Sequence, residues 1–453
     1  MGQVRAVLGI PYANAGRFER PVRVPLDDFD RYTAFGPAPP QRPGLGLTPG
    51  APVVDTDEHA CLTLNVWAPA RDADPLPVLV VFYGGGFVTG SSAEACYDGA
   101  RIAVEQEVVV VSVNYRIGAL GFLDLRPIRG TSANLGLLDA IAALRWVHDH
   151  ISTLGGDPVR VTILGESAGG GMCLHLLASP EAQGLFTNAI VQSGVTGLTL
   201  DEASAALVLE TFCAQAGTND LDALLAFPVD AILDAQQATE AALLGSIGMM
   251  PFHPSVDGEI VLAPPAVALE SGVAAGVPLL AGSTADEMRL YLDPNAPPLE
   301  RDRLVKRVAR FAGASPERAE EIVAVYEAET DDVWPAVFQD VAMQLPLRHV
   351  LDAQSAHAPT YTYLFAWEAP TIGAAHAVDI PFILGNFVEG WAEFVGYDAD
   401  AERLSRVMRE TWASFARTGD PRWPAYPAVM TFDRDACVAE THPFTRRLDA
   451  LAG

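Results

Sequence analysis

Three short apolar runs, residues 78–83, 108–113 and 159–164, constrain the fold of this chain more than any other feature. Each is dominated by β-branched residues and too short for a helix, which suits strands buried on both faces of a parallel sheet. Between the second and third, Leu137, Ile141, Leu144 and Val147 keep helical spacing across residues 134–154, and Gly155-Gly156-Asp157-Pro158 ends the segment. Strand, helix and strand make a βαβ unit. Such units predict an α/β fold, a mostly parallel twisted sheet with helices on both faces. Further strands are predicted at 189–192, 278–281 and 360–367, and helical insertions forming a cap or lid over the sheet at about 201–275 and 296–357. The first 60 residues, with Pro37, Pro39, Pro40, Pro43, Gly44, Gly46, Pro49 and Gly50, read as surface loop. With no internal repeat and no linker-like tract, residues 1–453 are expected to form a single domain.

Charge narrows the partners. The 29 Lys and Arg against 57 Asp and Glu give a net charge of −28, and Lys306 is the sole lysine. Nucleic acid and anionic membrane surfaces are disfavoured, because both need clustered cations against phosphates. No apolar run reaches the roughly 18 residues that span a bilayer, and residues 1–12 carry no apolar stretch of signal-peptide length. Met1-Gly2 opens like a myristoylation site, but Ala6 stands where Ser or Thr belongs. The expectation is a soluble, cytoplasmic protein. Cys61, Cys96, Cys173, Cys213 and Cys437 are odd in number and lack metal-site spacing, so reduced thiols are expected, with no metal and no cofactor.

The chemistry-bearing segment is Gly165-Glu166-Ser167-Ala168-Gly169-Gly170-Gly171, directly after the run ending at Leu164. A G-x-S-x-G turn from strand to helix needs its glycines because the chain reverses sharply against its neighbours. It would set Ser167 at a helix N-terminus, where free N–H groups and the dipole favour developing negative charge. Such a nucleophile elbow requires a second glycine-rich loop after an earlier strand. Tyr83-Gly84-Gly85-Gly86-Phe87 supplies it, with no G-x-G-x-x-G or G-K-[ST] to suggest phosphate binding instead.

These segments, with Gly9-Ile10-Pro11-Tyr12-Ala13, Asn114 to Leu123, Gln192-Ser193-Gly194 and Thr418-Gly419-Asp420-Pro421, stand in the order of one family. The chain resembles the type-B carboxylesterases of the α/β-hydrolase fold, which include cholinesterases and bacterial para-nitrobenzyl esterases. The resemblance implies a serine esterase with the triad order Ser, acid, His. Gly282-Ser283-Thr284-Ala285-Asp286-Glu287 resembles the acid segment, making Glu287 the expected acid and Asp286 the local alternative; Met288 stands where the family has glycine. Gly373-Ala374-Ala375-His376 resembles the histidine segment, making His376 the expected base. His253 precedes a stretch similar to one near the family's acyl pocket. The oxyanion hole is expected from the N–H groups of Gly85, Gly86 and Ala168, with Glu166 and Ser193 supporting the histidine. Phe87, Phe252, Leu290 and Phe382 are candidates for the acyl and alcohol pockets.

The partner this implies is a small-molecule ester substrate; the sequence leaves the oligomeric state open, with a monomer favoured. A non-catalytic binding protein on the same fold is the alternative from another class, and amidase or acyltransferase chemistry on the same triad is the alternative among enzymes. Around Cys61 the family's usual acidic pair is replaced by His59-Ala60, and no upstream cysteine is available to pair with Cys61. That departure supports a reducing compartment.

Overall fold

The computed structural model describes residues 3–452 except 26–27, 44–48, 50–54, 72–73, 130–132, 195–197, 249, 294–295, 298, 389 and 435–436, with the backbone alone for 129 and 437–440. The Met1-Gly2 start, Gly44, Gly46, Gly50 and the Cys437 thiol lie outside the described residues.

Twelve strands are described: β1 (Val4–Pro11), β2 (Ala13–Asn14), β3 (Val22–Arg23), β4 (Thr63–Pro69), β5 (Leu76–Phe82), β6 (Val109–Val113), β7 (Gly156–Glu166), β8 (Asn188–Gln192), β9 (Leu279–Thr284), β10 (Thr360–Phe365), β11 (Ala428–Phe432) and β12 (Cys437–Thr441). Ten of them form one sheet in the order β1-β4-β6-β5-β7-β8-β9-β10-β11-β12, and β2 pairs only with β3. Neighbours from β6 to β11 are parallel, while β1, β4 and β12 add antiparallel edges. The residues of β6, β8 and β9 are buried throughout, as continuous apolar runs demand when helices cover both faces.

Helix Ala100–Gln106 carries the chain from β5 out to β6, whereas Ala168–Ala178 carries it from β7 the other way to β8. Right-handed crossovers therefore put these two helices on opposite faces. Ala399–Thr418 packs beside the first, and Leu135–His150 beside the second. The connections thus leave β5 and β7 in opposite directions, and a crevice is expected beyond the carboxyl ends of these strands, where open α/β sheets hold their ligands.

The turn out of β7 is tight enough to dictate its residues. A Cβ on Gly169 would lie 2.0 Å from the Phe82 carbonyl oxygen at the end of β5. Gly169→Ala is therefore expected to cost about 3 kcal/mol, since neither backbone can yield. Chemical denaturation checks this; a midpoint within error of wild type would sink the argument.

The first 60 residues are not surface loop throughout. β1 pairs with β4 over Val4–Pro11, and Ala38, Pro39 and Pro40 are buried. Gln41 caps the glycine-rich loop after β5: its Oε1 accepts from Thr89 Oγ1 at 2.7 Å and from the Gly90 N–H at 2.8 Å. Proline and glycine made this segment irregular, but long-range contacts bury it. The expected strand at 159–164 is longer, beginning at Gly156, and the helix expected to 154 ends at His150 with a 3-10 turn over Ile151–Leu154.

Between residues 201 and 275 lie Glu202–Ala216, Leu221–Ala226, Val229–Leu243 and Pro265–Glu270. Between 296 and 357 lie Arg301–Phe311, Pro316–Glu327, Val333–Gln339, a π-turn at Asp340–Gln344 and Leu345–Ser355. Pro265–Glu270 and Leu345–Ser355 pack against each other, and the latter against β9 and β10. The helices from Arg301 to Gln339 bury a second apolar cluster of their own, built on Leu304, Val308, Ile322, Val323, Tyr326 and Val337.

Candidate active site

Ser167 joins β7 to helix Ala168–Ala178 with φ 56° and ψ −123°, a conformation that a non-glycine residue holds only when its surroundings enforce it. Here β8 and the helix enforce it. The Ser167 N–H donates to the Gln192 carbonyl at 2.9 Å and its own carbonyl accepts from Gly171 at 2.9 Å. The hydroxyl is thereby aimed away from the sheet, above the helix N-terminus.

The loop after β5 meets it there. Tyr83 and Tyr115 stack at 4.5 Å and cross-brace each other's backbones, each hydroxyl donating to the other's carbonyl at 3.0 and 2.8 Å. This fixes the root of the Gly84-Gly85-Gly86 turn. Gly85 holds φ 114°, and a Cβ there would lie 2.2 Å from the Thr89 carbonyl oxygen. Ala168 is the first residue of its helix, so its N–H has no intrahelical acceptor.

Glu287 and His376 arrive from the loops after β9 and β10, which pair in parallel register. Backbone bonds tie the loops together, from Asp286 N–H to the Ala374 carbonyl at 2.8 Å and from His376 N–H to the Glu287 carbonyl at 3.2 Å. His376 Nε2 lies 2.8 Å from Ser167 Oγ, and Nδ1 lies 2.5 Å from Glu287 Oε2. The other carboxylate oxygen, Oε1, accepts from Ser193 Oγ at 2.6 Å and from the Thr284 N–H at 2.7 Å. Asp286 is brought no closer; its side chain is 48% exposed and lies 3.5 Å from Arg289.

Glu166 and Asp379 complete the surroundings. Glu166 Oε1 stands 3.5 Å from His376 Nε2, and both carboxylates are buried. Asp379 Oδ2 accepts from Gln192 Nε2 at 2.8 Å. Burial pushes the Glu166 carboxyl well above its ordinary range, an effect that His376 opposes and Asp379 and Glu287 reinforce. Burial alone would lower the His376 imidazolium, but the nearby charges of Glu166 and Glu287 outweigh it and raise the group above its ordinary 6.5. A general base must be neutral, so activity that depends on His376 should rise with pH, with its acid limb above 6.5. Glu166→Gln removes the largest raising charge and is expected to move that limb to lower pH in the kcat/KM profile. A limb that stays put or rises would contradict this account.

Sequence reasoning did not single out Asp379 or Gln192. Asp379 sits three residues after His376, a spacing from which nothing in the sequence showed that its carboxylate would accept from Gln192. Of the expected pocket residues, Phe87, Phe252 and Phe382 are fully buried: Phe87 packs edge-on to Phe122, Phe252 to Phe212, and Phe382 to Phe365. They line no open pocket, and only Leu290 is half-buried. His253 is also buried, its Nδ1 2.6 Å from the Met250 carbonyl oxygen. Among the described residues, no cluster of His, Cys, Asp or Glu is arranged to hold a metal ion, and no helix is long and apolar enough to cross a membrane.

The model of the carboxylesterase family matches residues 1–446. The chain belongs to the carboxylesterase family. It is 35% identical over 436 residues to the para-nitrobenzyl esterase of Bacillus subtilis (strain 168), covering 92% of this chain and 88% of that one. It is 32% identical over 432 residues to the phenmedipham hydrolase of Pseudarthrobacter oxydans, covering 89% and 83%. Among solved structures, a PNB esterase superposes with a TM-score of 0.89 at 32% identity, covering 99% of this chain and 97% of that one. A carboxylesterase of Geobacillus stearothermophilus superposes with a TM-score of 0.87 at 35% identity, covering 99% and 96%. This carboxylesterase therefore has the α/β-hydrolase fold, and its reaction is the hydrolysis of carboxylic esters.

Proposed function

We propose that this carboxylesterase cleaves uncharged small-molecule esters through an acyl-enzyme on Ser167, with His376 as general base and acid and Glu287 as its orienting acid. The observation that carries the reading is the unbroken line of contacts from Ser167 Oγ through the imidazole to Glu287, at 2.8 and 2.5 Å. Ser167 Oγ attacks the ester carbonyl as Nε2 takes its proton. The tetrahedral oxyanion is stabilised by the N–H groups of Gly85, Gly86 and Ala168, each such donor contributing about 3 kcal/mol. His376 then protonates the departing alcohol, and the same nitrogen activates water to release the acid. Glu287, held by Ser193 and Thr284, keeps the Nδ1–H tautomer and stabilises the imidazolium.

The helical segments within 201–275 and 296–357 serve as the cap, a role supported by the separate apolar cluster of the second. A cytoplasmic location is supported by the free thiols of Cys61, Cys96, Cys173 and Cys213. A fluorophosphonate probe tests the nucleophile directly. One adduct per chain, mapped to Ser167 and absent from Ser167→Ala, is the expected result; labelling of the alanine variant would sink the assignment.

A further inference from the structure

The loop that carries Glu287 is gripped from behind by two glutamines of the second helical insertion. Gln339 stands just before the π-turn Asp340–Gln344, and Gln344 ends it. In that turn the Leu345 N–H donates to the Asp340 carbonyl, five residues back. Residues five apart on an α-helix point about 140° away from each other, whereas i→i+5 bonding brings them to one side. The two side chains accordingly reach neighbouring points at the end of β9. Gln344 Nε2 donates to Ser283 Oγ at 2.8 Å, and Gln339 Nε2 donates to the Ala285 carbonyl. Both glutamines and Ser283 are buried. The turn itself is anchored, because Asp340 accepts from the Tyr326 hydroxyl at 2.7 Å and pairs with Arg447 Nε at 3.0 Å.

These bonds hold the residues that hold Glu287. The peptide between Ala285 and Asp286 is fixed at both edges, its carbonyl by Gln339 and its N–H by the Ala374 carbonyl at 2.8 Å. Ala374 lies two residues before His376, so the same peptide joins the acid loop to the histidine loop. Thr284, between the two gripped residues, supplies the N–H that Glu287 Oε1 accepts at 2.7 Å. We propose that Gln339 and Gln344 are positioning residues that keep the Glu287 carboxylate in line with His376 Nδ1, so that the π-turn sets the geometry of the triad acid. The inference rests on the reading of Glu287 as that acid.

Gln339→Met and Gln344→Met keep an unbranched side chain of similar length and remove the donor. In each, kcat for p-nitrophenyl butyrate is expected to fall about tenfold while KM stays within about twofold of wild type. The acid limb of kcat/KM should also move to lower pH. His376 faces Glu166, Glu287 and Asp379, and a Glu287 carboxylate held less closely raises its imidazolium less. Ser283→Ala breaks the Gln344 bond from the other side and leaves the π-turn untouched. It should match Gln344→Met, and the double variant should lose no more than either single one. It also reports by itself if a glutamine variant fails to fold. A wild-type kcat and acid limb in the variants overturn the inference, even where the denaturation midpoint falls, and so does a lowered kcat with an unmoved limb. Glu287→Gln, measured in parallel, separates the two readings. Its inactivation beside wild-type behaviour of the others overturns the role of the glutamines alone, and full activity in it overturns the triad reading and this inference with it.

Discussion

Ser167→Ala is expected to lower kcat for p-nitrophenyl butyrate by about 10⁴- to 10⁶-fold, leaving only what the oxyanion donors and substrate binding contribute. At about 1.36 kcal/mol per decade, this corresponds to roughly 5–8 kcal/mol of lost transition-state stabilisation. Among the described residues, Ser167 Oγ is the hydroxyl hydrogen-bonded to His376 Nε2, at 2.8 Å. The burst of nitrophenol that marks acyl-enzyme formation should vanish with it. Turnover within tenfold of wild type would mean that another group attacks the ester. The same residue carries backbone strain at φ 56°. Ser167→Gly relieves it, so this inactive variant is expected to unfold at higher denaturant than Ser167→Ala, by about 1 kcal/mol. A glycine variant less stable than the alanine one would argue against strain at the elbow.

Glu287→Gln is expected to reduce kcat by about 10⁴-fold without loss of the fold. Glu287 accepts on both oxygens, from Ser193 and Thr284 on one and from His376 Nδ1–H on the other. A glutamine has one carbonyl oxygen and one NH2 group. With its oxygen toward Ser193 and Thr284, its NH2 faces Nδ1 and selects the tautomer protonated on Nε2. That imidazole cannot accept the Ser167 proton. Asp286→Asn is the contrast, because the half-exposed Asp286 side chain lies near Arg289 and outside the line of contacts. It should change kcat by less than about twofold. A large loss in Asp286→Asn together with a small one in Glu287→Gln would reverse the assignment of the acid.

The α/β-hydrolase fold was legible because its signals are local. The runs around Val80, Val110 and Ile163 are strands on composition alone, and the glycines flanking Ser167 answer to a turn whose geometry leaves room for nothing larger. The outer strands were not legible. β1 lies ahead of a proline-rich stretch, and β12 mixes polar and small residues, so neither carries the continuous apolar run that marks a buried strand. The pocket residues also escaped. Phe87 and Phe382 look like pocket walls by position, yet each turns into the core against Phe122 and Phe365.

The sequence by itself determined the parallel sheet, the elbow at Ser167 and the family order that pointed to Glu287 and His376, because each rests on neighbours in the chain. Tertiary structure alone decided which groups face one another across loops from five strands. It brought Glu287 to His376 from 89 residues away and set Glu166 beside the same imidazole. Burial and through-space charge then set the protonation of that cluster. Both depend on distances that sequence spacing does not encode.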